Sequence, residues 1–505
     1  MPSPKSVTLN IQGTFLSLLR LYLYSRVLLL RFRYGEHLFK EQVAELVRPP
    51  SDTLELVRAW LVHHGIRRSS ISTTHGGAWL TVTDVLVSRA NQLLGASYEL
   101  YRNTKTNETI TRTVGYALPA VLHAQIEDVS PTTYFVSTWV TQQTPRRRSF
   151  RPAQEQARSV SRIGITPSIL RWLYGTETYV AAANGRNRLG VVGFSNQYPS
   201  QGDLNTFTTN HAAFAAGARF SVLSVGGGGY DPNNPSGPVN TNTQYSVAMG
   251  YPTPVIFYSI GSLGDPFTLF LGYLLHAPDS DIPQTISITY SNREENVPPG
   301  YAIALCNAFA QLGLRGISVL VGSGVDGVGD GDCVQFVTEF PSACTCGILS
   351  STTQNASTGR SPDHHDFAGP WVTSVGAAEH RNPEYGAIFS GGGFSHYFPR
   401  PPYQRNAVPT FLQRLQDRYE GLYRCARYRD PDPFLTFYFV QLWGSWLPRH
   451  LRASDGLHNR PQLPRAYHER YELRGFGMSL ATRLLFPLCN RPCASTPADC
   501  QLSRQ

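Results

Sequence analysis

The first 300 residues of this 505-residue chain contain no cysteine, and the eight cysteines beyond them form no CxxC pair and no zinc-binding spacing. That excludes a zinc ribbon or a dithiol redox centre and leaves a few disulfides, in an oxidising compartment, as a use for them. Long apolar runs are also missing. The most apolar stretch, FLSLLRLYLYSRVLLLRFRYG, is cut by Arg20 and Arg26 and has no small-residue cleavage site, so it is neither a membrane span nor a convincing signal peptide. Export is left open by the residues alone, although the sequons at Asn107 and Asn355 are compatible with it. Charged residues are few, at 16%, against 41% hydrophobic ones, a composition that can bury a sizeable core in roughly two to four domains. The net charge of +9 does not point to nucleic acid. Its arginines sit in TPRRRSF (144–150), in the stretch that follows, and after Arg424, without lysine and aromatic residues interleaved on one element. No low-complexity tract exists either: the 44 Gly and 36 Pro fall between apolar runs as loop punctuation.

What is present divides into segments. From 34 to 135 helical and strand periods alternate, as in an α+β domain: Ser51 is placed to cap a helix whose Leu54, Val57, Leu61 and Val62 share a face, and WLTVT alternates like a half-buried strand. Residues 1–33 read as an atypical N-terminus and 136–165 as an exposed Arg-rich linker. From 166 the chain carries short β-rich apolar runs, LGVVGF, FSVLSV, TPVIFYSIG, TISITYS and GISVLVGSG, each ending in Gly, Ser or Asn or running into a turn. Helical stretches such as YAIALCNAFAQLGLRG lie between them, which predicts a parallel sheet covered by helices, with ligands beyond the carboxyl ends of its strands. SGGGFSHYFPRP (390–401) reads as a glycine-rich turn or as a place where another backbone comes close.

Six ordered motifs, TPSILRWLYGT, GGGGYDPNNP, YPTPVIFYSIG, CNAFAQLGLRGISVLVGSGVDGVGDGDC, WVTSVGA and FSGGGFSHYFPRPPYQ, together closely resemble the sedolisins, the serine-carboxyl peptidases, and most nearly their fungal tripeptidyl-peptidase branch. The first domain, through YGEHLFKEQV and STTHGGAWLTVT, resembles the family's activation prodomain. The resemblance covers about 34–423 and implies a subtilisin-like α/β fold, with a peptidase domain at 166–423 behind a prodomain at 34–135. It also implies a secreted, zymogen-derived monomer that cleaves peptides or proteins at acid pH, with Ca²⁺ as the family's ion and no nucleic-acid or membrane partner.

The family's chemistry needs a glutamate base, an aspartate four residues later sharing its proton, an oxyanion aspartate after Ser-Gly, and a serine in Gly-Thr-Ser. By the same resemblance Pro238 stands at the glutamate position and Asn242 at the aspartate position, while Val325 holds the oxyanion position with Asp326 one residue late. The nucleophile is missing. A faint echo, PCASTP, puts Pro492 in its register and Ser495 three residues late. No Ca²⁺ site can be assigned, because the Asp- and Gly-rich loop is absent. The stretch 344–369 interrupts FPSAC and WVTSVG like an insert, and its DHHD (363–366) reads as a solvated loop, not a metal site, since adjacent loop residues do not all converge on one ion. Residues 424–505 carry no family motif and no sustained period. The expectation is a sedolisin-type homologue that is inactive as written, a pseudoenzyme. The alternatives are a non-catalytic binding or regulatory paralogue, or a mispredicted gene product.

Overall fold

The computed structural model describes residues 6–13, 37–135, 165–346 and 369–415, less gaps at 74–75, 103–108, 182–186, 262–264, 326, 328–335, 337, 380–384, 388–389, 399–403 and 405–406. Two sheets organise them. The first is antiparallel, built from Ser6–Gly13 (β1), Ile71–Thr73 (β2), Trp79–Leu86 (β3) and Ile126–Ser130 (β6) in the order β2-β3-β1-β6. A separate hairpin joins Glu99–Arg102 (β4) to Thr109–Arg112 (β5). β1 pairs with both β3 and β6, so this sheet takes a strand from the stretch read as an atypical N-terminus. The alternation of Val7, Leu9 and Ile11 is the sequence signal for it.

Helices Lys40–Leu46 (α1), Ser51–His63 (α2) and Val87–Leu94 (α3) accompany this sheet. Ser51 does not cap α2. Pro50 occupies the cap position, its carbonyl accepting from Thr53 N–H at 3.1 Å, while Ser51 Oγ turns to Asp52. Val57 and Leu61 are buried as expected, but Val62 is exposed and Trp60 lies on the buried face, because 57, 60 and 61 follow the helical period. α1 faces elsewhere. Leu38 N–H donates to Leu314 O at 2.8 Å, and Val43 and Val47 join the core of the second sheet, while Val57, Leu61, Val82, Leu94 and Val129 form a separate cluster inside the first unit.

The second sheet has six strands in the order β16-β12-β10-β7-β9-β8. They are Leu189–Gly193 (β7), Phe220–Val225 (β8), Val255–Ile260 (β9), Thr285–Ile288 (β10), Ser318–Gly322 (β12) and Thr373–Val375 (β16), all paired in parallel. The five strand runs picked out from the sequence all lie in this sheet. Helices Gln201–His211 (α5), Gly237–Gly250 (α6), Pro266–His276 (α7) and Pro299–Leu314 (α8) connect and flank the strands, preceded by Pro167–Leu173 (α4). β9 is buried at every residue, as a strand covered on both faces must be.

Two short pairs complete the unit: Asn292–Arg293 (β11) with Glu339–Phe340 (β13), and Thr345–Cys346 (β14) with Gly369–Pro370 (β15). Cys306 on α8 is disulfide-bonded to Cys344, both fully buried. Cys344 therefore belongs to the core and not to an insert. The excursion begins after β14 and returns at β15. Its DHHD run, like the tail 424–505, lies outside the described residues.

Candidate functional site

The chain lays β7, β8 and β9 on one side of the sheet and then crosses β7 to place β10, β12 and β16 on the other. The crevice outside the carboxyl ends of β7 and β10 is therefore the switch point where such sheets receive ligands. Tyr290, just past β10, is fully buried there. Its hydroxyl accepts from Phe194 N–H at 3.0 Å and donates to Gln197 Oε1 at 2.9 Å, tying the two strand ends together.

α6 borders this crevice. Its start is held by Ser236 N–H donating to Tyr198 O at 2.8 Å and by Ser200 N–H donating to Asn240 Oδ1 at 3.0 Å. Pro238 stands in the first turn, where its missing N–H costs nothing because the first amides of a helix have no intrahelical acceptor. One turn on, Asn242 is buried, with Nδ2 donating to Thr289 Oγ1 at 3.4 Å and Oδ1 accepting from Ser246 Oγ at 3.4 Å. Amide and hydroxyls satisfy one another, and α6 contains no Asp, Glu or His. This network cannot exchange a proton between pH 4 and 8.

The third wall is the end of β12. Ser323 N–H donates to Val375 O at 2.9 Å, and Gly391 N–H donates to Gly324 O at 3.0 Å. A Cβ on Gly391 would lie 1.9 Å from Ser323 O, so at Gly391 the glycine serves close passage of one backbone against another. Val325 is half-buried beyond this contact. Asp326, Pro492 and Ser495 lie outside the described residues, so of the candidate positions the structure places Pro238, Asn242 and Val325.

Behind the Gly391 wall stands a buried carboxyl that the sequence did not single out. Glu294 accepts from Ser395 Oγ and, at 2.6 Å, from His396 N–H, fixing the segment after the glycines. Burial pushes Glu294 up to about 7, against the pull of the donors from Ser395, His396 and Tyr397. In NREEN it looks like any charged turn, and nothing local marks it as buried. Among the described residues no group of three or more His, Cys, Asp or Glu is arranged to hold a metal ion, and no helix is long and apolar enough to cross a membrane.

Comparison with known proteins bears on the same elements. Residues 8–135 match the family described as Pro-kumamolisin, activation domain. Tripeptidyl-peptidase SED2 of Arthroderma otae is 30% identical over 433 residues, covering 80% of this chain and 68% of that protein. Probable tripeptidyl-peptidase SED3 of Arthroderma benhamiae is 30% identical over 432 residues, covering 79% and 67%. The chain thus spans about two thirds of the length of these relatives. Among solved structures, Pseudomonas sedolisin in complex with pseudo-iodotyrostatin superposes with a TM-score of 0.36 at 15% identity, over 55% of this chain and 71% of that one. With its activation region in front and its α/β unit behind, this chain belongs to the sedolisin family, in the tripeptidyl-peptidase group.

Proposed function

We propose that this chain is a sedolisin-type serine peptidase homologue that binds peptides without hydrolysing them. The observation that carries the reading is the closed network of Asn242, Thr289 and Ser246 on α6, in the helix where family resemblance puts the acid–base pair. With Pro238 and Asn242 at those positions, no group there can take the proton of a nucleophile, and Val325 offers the developing oxyanion no donor. Each loss costs on the order of 10² to 10⁴ in rate, and members of such a unit fail together.

The test is incubation of the full chain at about pH 4, near ordinary carboxyl pKa values, with a peptide bearing a free N-terminus, and mass-spectrometric detection of tripeptides. None is expected above background. Tripeptides abolished by Asp326→Ala or Ser495→Ala would overturn the reading and show that an out-of-register residue does the work. The combined variant Pro238→Glu, Asn242→Asp, Val325→Asp is expected to stay inactive for want of a nucleophile. Binding without turnover, read by anisotropy of a labelled peptide, is the expected positive result.

In this reading the protein works outside the cell, which the buried Cys306–Cys344 disulfide supports. The same reading takes it as a monomer that needs no Ca²⁺, since no Asp- and Gly-rich loop of the kind that holds the family's ion is found in the sequence. A chelator should leave its melting temperature unchanged.

A further inference from the structure

β8 is an end strand of the parallel sheet and pairs with β9 alone, in one unbroken register from Phe220↔Val255 to Val225↔Ile260. Its other edge therefore presents a row of N–H and C=O groups with no strand beside it among the described residues. Such edges are normally blunted by a charge, a proline, a bulge or a cover, because they otherwise recruit another chain. β16, at the opposite edge, is blunted by having only three residues. FSVLSV has none of these devices. It is six residues long, carries no charge and no proline, and leaves Ser221, Val222 and Ser224 exposed; the nearest charge along the chain, Arg219, precedes the strand.

Beside this edge stands an aromatic side chain held in place. After β8 the chain turns at Gly226 and Gly227, both in the left-handed region, and folds back along the strand. Ser224 Oγ donates to Gly228 O at 2.6 Å and Ser259 Oγ to Gly229 O, which pins the return. Tyr230 then meets Phe220 edge-on at 6.5 Å between ring centroids and Tyr198 at 6.1 Å, while Phe220 meets the buried Phe257 at 6.4 Å. Two residues apart on a strand, Phe220 and Val222 share a face of the sheet. Tyr230 is 36% exposed and Val222 39%, so two fixed apolar side chains stay open next to unpaired main chain.

We propose that β8 is a docking edge for an extended, uncharged peptide segment, which adds to the sheet as a seventh strand and sets an aliphatic or aromatic side chain against Val222 and Tyr230. Main-chain hydrogen bonds supply the affinity of such an added strand, and the side chains that meet its flanks supply the selectivity. A neutral segment suits this edge, since a charge placed on Val222 and Tyr230 would lose water without gaining a partner. The size of the edge argues for a peptide over a second copy of the chain. Six residues make an edge of roughly 20 Å, too little for the ~800 Å² that each partner buries in a stable dimer, whereas an added strand needs no wider surface. The edge lies beyond β9 from the β7–β10 crevice and uses none of Asn242, Thr289 and Val325, so it stands whether or not the crevice holds peptides.

The test uses the full chain and a fluorescein-labelled hexapeptide of alternating threonine and valine. Anisotropy gives its affinity, and amide hydrogen exchange locates it. Binding with slowed exchange in 220–225 is expected, and the same peptide with every amide N-methylated should not bind. Val222→Lys, which puts a charge on the edge, and Tyr230→Ala should each weaken binding by about tenfold, as loss of a central apolar contact does. Both side chains are open to solvent, and either variant alone suffices if the other fails to fold. No binding, or affinity unchanged in the folded variants, would overturn the proposal. Slowed exchange at Thr289 and Tyr290 without any at 220–225 would also overturn it, while leaving the reading of the crevice intact. A chain that dimerises without peptide and protects 220–225 on doing so would give the edge to a second copy, and the proposal would fall.

Discussion

Glu294 shows how one side chain can hold a wall of the crevice. Its two oxygens take the Ser395 hydroxyl and the His396 amide, the first on a buried residue and the second on a half-buried one. Removing the acceptor leaves both unpaired, so Glu294→Ala should cost about 3 kcal/mol, whereas Glu294→Gln, which keeps one carbonyl oxygen and lets Ser395 reverse its bond, should cost about 1 kcal/mol. Denaturant midpoints at constant slope check this. Equal losses would mean that the side chain contributes volume and not hydrogen bonds. The residue was invisible in the sequence because a Glu beside a second Glu reads as a solvated turn; its burial is set by the segment 394–398, a hundred residues further on. Asn242 was legible in the opposite sense. Its type announced a neutral site before its partners Thr289 and Ser246 were known.

Among the elements, the parallel strands were readable because each is a compact β-branched run bounded by small residues, and burial on both faces demands that composition. β1 was harder. Its eight residues stand ahead of a long apolar stretch whose arginines dominate the reading, and only pairing to β3 and β6 distinguishes strand from chance alternation. The glycines of α8 and of the 391 segment separate helix propensity from contact. Gly313, near the end of α8, has open space around a would-be Cβ, so Gly313→Ala should stabilise by about 0.5 to 1 kcal/mol. Gly391→Ala drives a methyl into Ser323 O and should cost several kcal/mol or abolish folding. Thermal melts of the pair give opposite signs; a neutral Gly391→Ala would show that the wall at β12 is free to move. The excursion after β14 is a third case. Cys346 pairs with Gly369, so excising residues 347–368 and closing the ends with Asn-Gly keeps the ladder, and the melting temperature should stay within a few degrees.

For the whole molecule, the two units were legible as successive patterns, but their joint was not, because no local pattern couples β6 to residues more than 130 positions away in α7 and α8. The same holds for the cysteine pairing. Eight cysteines allow many partners, and only the fold brings Cys306 against Cys344, across a sequence separation of 38 residues. Closing a loop of that length should stabilise by about 3 to 4 kcal/mol, so Cys306→Ala/Cys344→Ala should lower the denaturant midpoint accordingly. The last expectation joins the separate carboxyls. Asp128 and Glu294 are both buried and both raised to about 7 by that burial, from ordinary values near 4. Each therefore binds a proton in the folded chain over a range where the unfolded chain has released it, and stability falls with pH wherever the folded state holds more protons. Both contributions are fully present below about pH 4 and lost as pH rises through about 7. Unfolding free energies of the whole chain should thus fall by a few kcal/mol between pH 5 and pH 8, counting about 1.4 kcal/mol per pKa unit as an upper bound. Asp128→Asn and Glu294→Gln should each remove part of that fall, and together the sum of the two parts, since the sites lie in different walls of the fold and their effects should add. A chain more stable at pH 8 than at pH 5 would place charged, well-paired carboxylates at both positions and refute the account of each.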